Sequence, residues 1–227
     1  YAVAPEKRAV IATNNDTAYE TAIDLARVGI AVTVADHRDN VAPDIVARAA
    51  AHGVAVFAAT GIAGVEGGKT VSRVRLSGSH AVSVDCDALG VSGGWSPVVH
   101  LSSHGGIKPK YDDAIAAFVP GGFAPTHFGA GAAMGTLGFA AAIAEGSKAG
   151  ASAAAVAGFG KTRPVLAPEH SSDRGHAIVP VWNASSGGKG KAFVDFQNDV
   201  TAADLELAQR EGYESVEHTK RYTTFGM

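Results

Sequence analysis

Arg8-Ala9-Val10-Ile11-Ala12-Thr13-Asn14-Asn15-Asp16-Thr17 opens the stretch that decides the fold, which runs on to Asp36. Residues 9–12 are a short apolar run suited to a strand buried in a parallel sheet. Thr17 and Glu20 have capping-box spacing at the start of a helix. Ala18, Ala22, Leu25 and Ala26 follow at helical spacing, and Gly29 is placed to end that helix. Residues 30–35 make a second strand, closed by Asp36. An acidic residue 23 positions after Thr13 completes the outline of a dinucleotide-binding fingerprint, which sets such an acid about 20 residues on. Its G-x-G-x-x-G positions are held by Thr13, Asn15 and Ala18, and only Ala18 is an accepted variant. A pyrophosphate must approach bare backbone at the second position, where Asn15 puts a side chain. Asp16 adds negative charge at a helix start that would otherwise attract an anion. The shape of a nucleotide unit is kept and its phosphate site is lost.

Outward from this unit, Pro43 sits just inside a second helix, Gly53 ends it, and residues 54–59 supply a third strand. Residues 61–76 alternate and turn at Gly67-Gly68 as a hairpin does. Residues 80–84 and 88–92 read as strands, 116–119 and 126–130 as short ones. A long helix of small residues is expected over 132–157, apolar enough to be buried yet interrupted by Glu145 and Lys148. Residues 161–191, with Pro164, Pro168 and Pro180, read as a connection. Residues 201–210 and 215–222 are expected as two helices split by Gly212, the first capped by Thr201 with Asp204.

Composition narrows the function classes. The 227 residues carry 19 Lys+Arg against 22 Asp+Glu, a net charge of −3, so the electrostatic footprint of a nucleic-acid binder is missing. With 46% hydrophobic and 18% charged residues the chain is of globular type. No stretch has the roughly 20 strongly apolar residues of a membrane span. The single Cys86 excludes an intrachain disulfide or a cysteine-built metal centre, and such sparing use of cysteine fits a reducing cytoplasm. Tyr1 and the abrupt Thr224-Phe225-Gly226-Met227 end read as cuts through a longer polypeptide.

Three short motifs suggest chemistry, and each has a plainer reading. Gly90-Val91-Ser92-Gly93-Gly94 matches a nucleophile elbow, but Trp95-Ser96-Pro97 turns the chain before a helix is established. Residues 155–162 resemble a relaxed P-loop, yet they follow a helix instead of opening one, so Gly158 and Gly160 read as stop signals. His100 and His104 have the i, i+4 spacing of metal ligands on a helix, but their Ser/Gly-rich setting reads as a loop. Asp112 and Asp113 read as solvated charges.

The order of pieces has a specific meaning. A nucleotide-type unit, a meander, the turn Val91-Ser92-Gly93-Gly94-Trp95-Ser96-Pro97 and then Gly129-Ala130-Gly131-Ala132-Ala133-Met134-Gly135 before a long helix resemble flavoprotein reductases with two dinucleotide domains, one inserted into the other. A narrower resemblance comes from the C-terminal block: Lys191-Ala192-Phe193-Val194-Asp195-Phe196-Gln197-Asn198, Arg210-Glu211-Gly212-Tyr213 and residues 215–224. Together with Thr13-Asn14-Asn15-Asp16 and residues 114–121, this block resembles the α subunit of heterotetrameric sarcosine oxidase over essentially the whole chain. Related amine and opine dehydrogenases carry a small iron–sulfur domain at residues 191–224; such a cluster needs about four cysteines and this segment has none.

The resemblance implies a fold, a chemistry and a set of contacts. The implied fold is α/β, of the Rossmann-like two-dinucleotide-domain flavoprotein reductase type but incomplete, followed by a small helical domain. By the same resemblance, residues 1–87 form the second dinucleotide-type domain, 88–160 the returning part of the first, 161–190 a linker and 191–227 the helical domain. The family oxidises sarcosine to glycine and hydrogen peroxide and forms methylenetetrahydrofolate from tetrahydrofolate. NAD belongs to the α subunit, FAD to the β subunit and FMN to the boundary between them, with γ and δ subunits completing the enzyme. For NAD the expected contacts are Ser92, Gly93 and Gly94 and the helix start at Gly129, Gly131 and Ala132, where no acidic residue opposes an anion. For the FMN phosphate they are Lys220, Arg221, Thr223 and Thr224, cations and hydroxyls suited to it. No catalytic base, nucleophile or metal site is expected, and the isolated piece is expected to be inactive. The alternatives are a non-catalytic scaffold with decayed dinucleotide folds, a related amine or opine dehydrogenase subunit, and a free-standing flavin reductase.

Overall fold

The computed structural model describes residues 7–160, 178–182 and 190–226. The linker expected at 161–190 and the P-loop-like Lys161 fall almost wholly outside them. The chain divides into two compact units, Tyr1–Trp182 and Asn183–Met227.

Residues at the centre of the first unit are buried on both faces of a parallel sheet. Strand β1 (Arg8–Thr13) is exposed only at its first residue, because Ala9 and Ile11 pack under helices while Val10 packs on the opposite side. That two-sided burial is why the run is continuously apolar. Helix α1 (Thr17–Arg27) and strand β2 (Ala31–Asp36) follow, then α2 (Pro43–Ala51) and β3 (Ala55–Phe57). β2 and β3 add in parallel on one side of β1, and β7 (Ala88–Ser92) adds in parallel on the other, giving the order β3-β2-β1-β7. This is the strand order of half a doubly wound nucleotide fold, with its switch point between β1 and β7. Tyr19, Ala22, Ile23 and Leu25 are not all equal partners in the packing: Tyr19 and Ala22 join Ile30, Val34, Ile45 and Ala49 in the core on the helix side.

The other face is covered by an antiparallel meander of β4 (Thr60–Gly67), β5 (Val71–Gly78) and β6 (Ser83–Asp85). Val74, Leu76 and Cys86 pack there against Val10 and Ala35. The hairpin is as expected, whereas the strand expected at 80–84 is shorter and later. The rest of the unit holds a short helix α3 (His100–His104), the hairpin of β8 (Lys110–Asp112) with β9 (Ala117–Val119), a 3-10 turn at Gly131–Met134 and helix α4 (Phe139–Val156).

The structure corrects several expectations. Thr17 is the first helical residue of α1 and not its cap: its N–H is accepted by Asn15 Oδ1 at 3.1 Å, so no capping box with Glu20 forms. Residues 126–130 form no strand. His100 and His104 lie on a helix and not in a loop. The long helix starts at Phe139 instead of 132, because Gly131 opens and Gly135 ends a separate 3-10 turn, both with left-handed φ. Among the described residues α4 has no buried position, contrary to the buried helix expected; its alanines and glycines present little area, and the 3-10 turn is the element packed most closely on it.

The second unit is small. β10 (Phe193–Asp195) pairs antiparallel with β11 (Val200–Thr201), and α5 (Ala202–Arg210) and α6 (Val216–Thr223) follow. The two helices expected from the sequence are present. Thr201 Oγ accepts the Asp204 N–H while Asp204 accepts the Thr201 N–H at 2.8 Å, a complete capping box. Ser215 caps α6 by accepting the His218 N–H at 3.2 Å.

Candidate functional site

A doubly wound sheet binds ligands outside the carboxyl ends of its strands, at the switch point. Here that point lies between Thr13 at the end of β1 and Ser92 at the end of β7, which are register partners. The loop from Thr13 into α1 is tied down by its own side chains. Thr13 Oγ donates to the Asn15 carbonyl at 3.0 Å, and Asn15 is 2% exposed. The Asn15 amide donates to Ser92 O at 3.0 Å and Ser92 Oγ at 3.2 Å, bridging β1 to β7 across the switch point. Its carbonyl oxygen accepts from the Thr17 N–H and hydroxyl. The amide of Asn15 thus takes the Thr17 N–H, the first amide of the helix, which a bound phosphate would otherwise meet.

The other end of the crevice holds a buried ion network. Asp36 is fully buried and Arg38 is 4% exposed. The guanidinium clamps Asp36 through Nε and Nη2, at 3.1 and 2.8 Å, and reaches Asp16 through Nη1 at 2.7 Å. Tyr19 donates to Asp36 Oδ2 at 2.9 Å. Burial opposes the Arg38 charge, but the hydrogen bonds to Asp36 and Asp16 outweigh it and hold the group firmly cationic. Burial and the Asp36 charge push the Tyr19 hydroxyl far above its ordinary range. Asp36 stands where a ribose-binding acid stands in the fingerprint, and its oxygens are taken by Arg38 and Tyr19. A dinucleotide does not fit this crevice as it is built.

Ile178, in the strap formed by residues 178–182, covers the same point. It forms an antiparallel bridge with Asn15, the Val179 N–H donates to Asn14 O at 3.2 Å, and Asn14 Nδ2 donates back to Val179 O at 2.9 Å. Gly94 has φ +102, and a Cβ there would run into Ile178 Cδ1, so the close approach this glycine allows is used by the chain itself. A groove of about 410 Å³ lies beside this point, lined by Ala18, Thr21 and Leu25 of α1, by Gly90 of β7 and by Trp95. The Trp95 indole N–H lies 3.4 Å from Thr17 Oγ.

The remaining expected contacts meet different surroundings. A Cβ at Gly93 would meet no atom within 4 Å, so packing does not demand glycine there. A Cβ at Gly129 would run into the Phe123 ring and the Met134 sulfur, so a larger residue there needs those side chains to shift. The Gly131 N–H, expected to face an anion, is taken by Glu145 Oε2 at 2.7 Å, a carboxylate that sequence proximity gave no reason to place there. Ala132 lies in the same 3-10 turn. In the second unit Lys220 and Arg221 lie in the last turn of α6 and pair with no carboxylate among the described residues. Thr223 Oγ donates to Thr219 O at 2.7 Å and Thr224 Oγ to Thr223 O at 2.5 Å, which leaves the two cations as the donors on offer to a phosphate. Asp195 ties this unit together by accepting from the backbone of Gly226, at 2.8 Å, and from Asn198 and Gln197; those bonds lower its pKa to about 2. Among the described residues no group of three or more His, Cys, Asp or Glu is gathered for a metal, and no helix is long and apolar enough to cross a membrane.

Comparison with known proteins agrees with the reading of the C-terminal block. The family described as Sarcosine oxidase A3 domain matches residues 189–227. The chain is 37% identical to sarcosine oxidase subunit alpha of Rhizobium meliloti (strain 1021) over 100% of its own length and 23% of that protein's. It is 35% identical to sarcosine oxidase subunit alpha of Corynebacterium sp. (strain P-1), over 99% of its length and 24% of that protein's. Among solved structures, Lactococcus lactis thioredoxin reductase aligns with a TM-score of 0.41 at 20% identity, covering 51% of this chain and 44% of that one. A ferredoxin reductase from Rhodopseudomonas palustris aligns with a TM-score of 0.39 at 20% identity, covering 45% and 27%. The chain thus spans about a quarter of the length of the curated relatives it matches, and from end to end it is similar to a stretch of sarcosine oxidase subunit alpha.

Proposed function

We propose that this chain serves as part of the alpha subunit of a flavin-dependent sarcosine oxidase in the cytoplasm. In that setting sarcosine is oxidatively demethylated to glycine with hydrogen peroxide and methylenetetrahydrofolate as products, and beta, gamma and delta subunits complete the assembly. The observation that carries the reading is the 37% identity sustained over the whole chain. The chain contributes support and not chemistry: its buried Asp36 is held by Arg38, and among the described residues no nucleophile–base pair lines the groove. NAD would pass along the turn at Ser92, Gly93 and Gly94 and the turn at Gly129, Gly131 and Ala132. At the second turn the Gly131 amide becomes available only if Glu145 releases it. The FMN phosphate would meet Lys220 and Arg221, with Thr223 and Thr224 beside them, at a subunit boundary.

A second reading, a scaffold with a decayed dinucleotide fold, is favoured by one observation: the Asn15 side chain fills the turn where a pyrophosphate belongs. Gly93→Val separates the two. Its Cβ has open space, so the chain tolerates it, whereas a cofactor lying over the turn would not. The assay is NAD released on acid denaturation of the full-length subunit, alongside sarcosine-dependent peroxide formation by the complete assembly. The first reading expects bound NAD in the wild type and its loss in Gly93→Val with an unchanged melting temperature. Wild-type subunit without NAD would leave the scaffold.

A further inference from the structure

The crevice between β1 and β7 has the topology of a dinucleotide site and three sets of the chain's own atoms inside it. Asn15 spans the pyrophosphate position, with hydrogen bonds to the end of β7 at Ser92 and to the start of α1 at Thr17. Arg38 closes the ribose position by pairing with Asp36 and Asp16. Ile178 lies over the top, bridged to Asn15 and seated on Gly94. We propose that this βαβ unit is a self-occupied dinucleotide fold, in which Asn15, Arg38 and Ile178 stand in for the ligand and exclude NAD(H) and NADP(H) from the crevice. This closure is independent of NAD binding at Gly93 and at the turn of Gly129, Gly131 and Ala132, whereas Ser92 and Gly94 are held by Asn15 and Ile178 in the closed state.

The physical case rests on satisfied groups. The Thr17 N–H and both Asp36 oxygens, which a dinucleotide would use here, already have internal partners, so a ligand must break those bonds before making its own. Thr17 N–H, the first helical amide, is bound to Asn15. Both oxygens of Asp36 are bound, one to Arg38 alone and one to Arg38 and Tyr19. Asp16, 17% exposed at its side chain, adds a negative charge at the helix start, where a pyrophosphate would be repelled once Arg38 moved away. A ligand therefore gains few new bonds for those it breaks, and affinity for the closed state is low.

Hydrogen exchange of the full chain with and without NADH or NADPH tests the proposal. In the wild type, exchange over residues 8–20 and 31–40 is expected to be unchanged by either dinucleotide at millimolar concentration. An opened variant, Asn15→Gly/Asp16→Ser/Arg38→Ser/Ile178→Ala, removes one carboxylate and one guanidinium together and frees Asp36 for a ribose. It is expected to show about tenfold slower exchange in those segments at about ten times the ligand Kd. Asn15→Gly/Ile178→Ala, which leaves the ion network in place, is the second variant should the first not fold; it is expected to gain protection over residues 13–18. Slowed exchange over residues 8–20 in the wild type overturns the proposal. So does a folded opened variant that gains none, because something other than these side chains then excludes the ligand. Slowing confined to residues 129–135 in the wild type supports both this closure and the NAD reading, and no slowing anywhere supports the closure while removing the NAD reading.

Discussion

Arg38→Met measures how much of the first unit depends on the buried network. The side chain is 4% exposed and its partner Asp36 is fully buried, so methionine keeps most of the apolar stem volume while leaving Asp36 with only Tyr19 and backbone donors. Removing one member of a buried pair strands the other charge, at a cost of about 3–5 kcal/mol. For a chain of this size that corresponds to a fall in Tm of about 6–20 °C. An internal control is available in Arg27→Met: Arg27 pairs with Asp24 at 3.2 Å, but the two side chains are 60% and 72% exposed, so the expected cost is about 0–1 kcal/mol. Both tryptophans, Trp95 and Trp182, belong to the first unit, so urea unfolding followed by tryptophan fluorescence reads that unit. Adding Asp36→Asn to Arg38→Met should recover about 2 kcal/mol, because the stranded carboxylate and not the lost attraction dominates the cost. The reasoning is refuted if Arg38→Met costs no more than Arg27→Met, or if Asp36→Asn deepens the loss.

Asn15→Ala removes the acceptor at the start of α1 and the link to Ser92, and unfolding of the first unit should cost about 1–2 kcal/mol less in urea. Thr201→Ala breaks the capping box of α5 and should cost the second unit about 1 kcal/mol, read by far-ultraviolet circular dichroism during thermal melting. Asp195 has a pKa of about 2 against an ordinary 3.8, chiefly through the Gly226 N–H. A lowered carboxyl pKa stabilises the fold above the unfolded value, and that contribution is lost as pH falls from about 4 toward 2. The near-ultraviolet signal of the stacked Tyr213–Tyr222 pair, whose centroids are 4.4 Å apart, should therefore fade over this window, and Asp195→Asn should flatten the pH dependence while lowering stability at neutral pH.

The parts of this fold that sequence reveals are those set by periodicity and local capping. Residues 9–12 and 30–35 read as strands because a sheet buried on both faces leaves no polar position in the first and only Thr33 in the second, and Thr201 with Asp204 reads as a cap because three-residue spacing alone determines that geometry. The α4 boundary is hidden because Gly131 and Ala132 suit a helix start and a 3-10 turn alike; the turn is chosen by left-handed φ at Gly131 and Gly135. The loss of the phosphate site is legible at Asn15 and Asp16. The closure that accompanies it is not. Arg38 stands two residues beyond Asp36, a signal of a counter-ion, but its reach to Asp16 is a tertiary distance. Ile178 comes from 163 positions beyond Asn15 and lies in a Pro-containing stretch that carries no pattern.

The three fingerprint positions answer to different demands, and the chain has treated them differently. The third position serves packing between helix and strand, and Ala18, 4% exposed, still meets it. The first two serve a turn and a ligand. The turn survives without glycine, since neither Thr13 nor Asn15 needs left-handed φ, and Thr13 Oγ holds it by bonding across to Asn15. Only the ligand's requirement is unmet at those two places. The acid at position 36 was kept and given internal partners in place of a ribose. A buried carboxylate without either would be costly, so loss of the ligand and arrival of Arg38 belong together energetically. Replacing Asn15 by glycine alone should not restore binding, because Ile178 would still cover the turn.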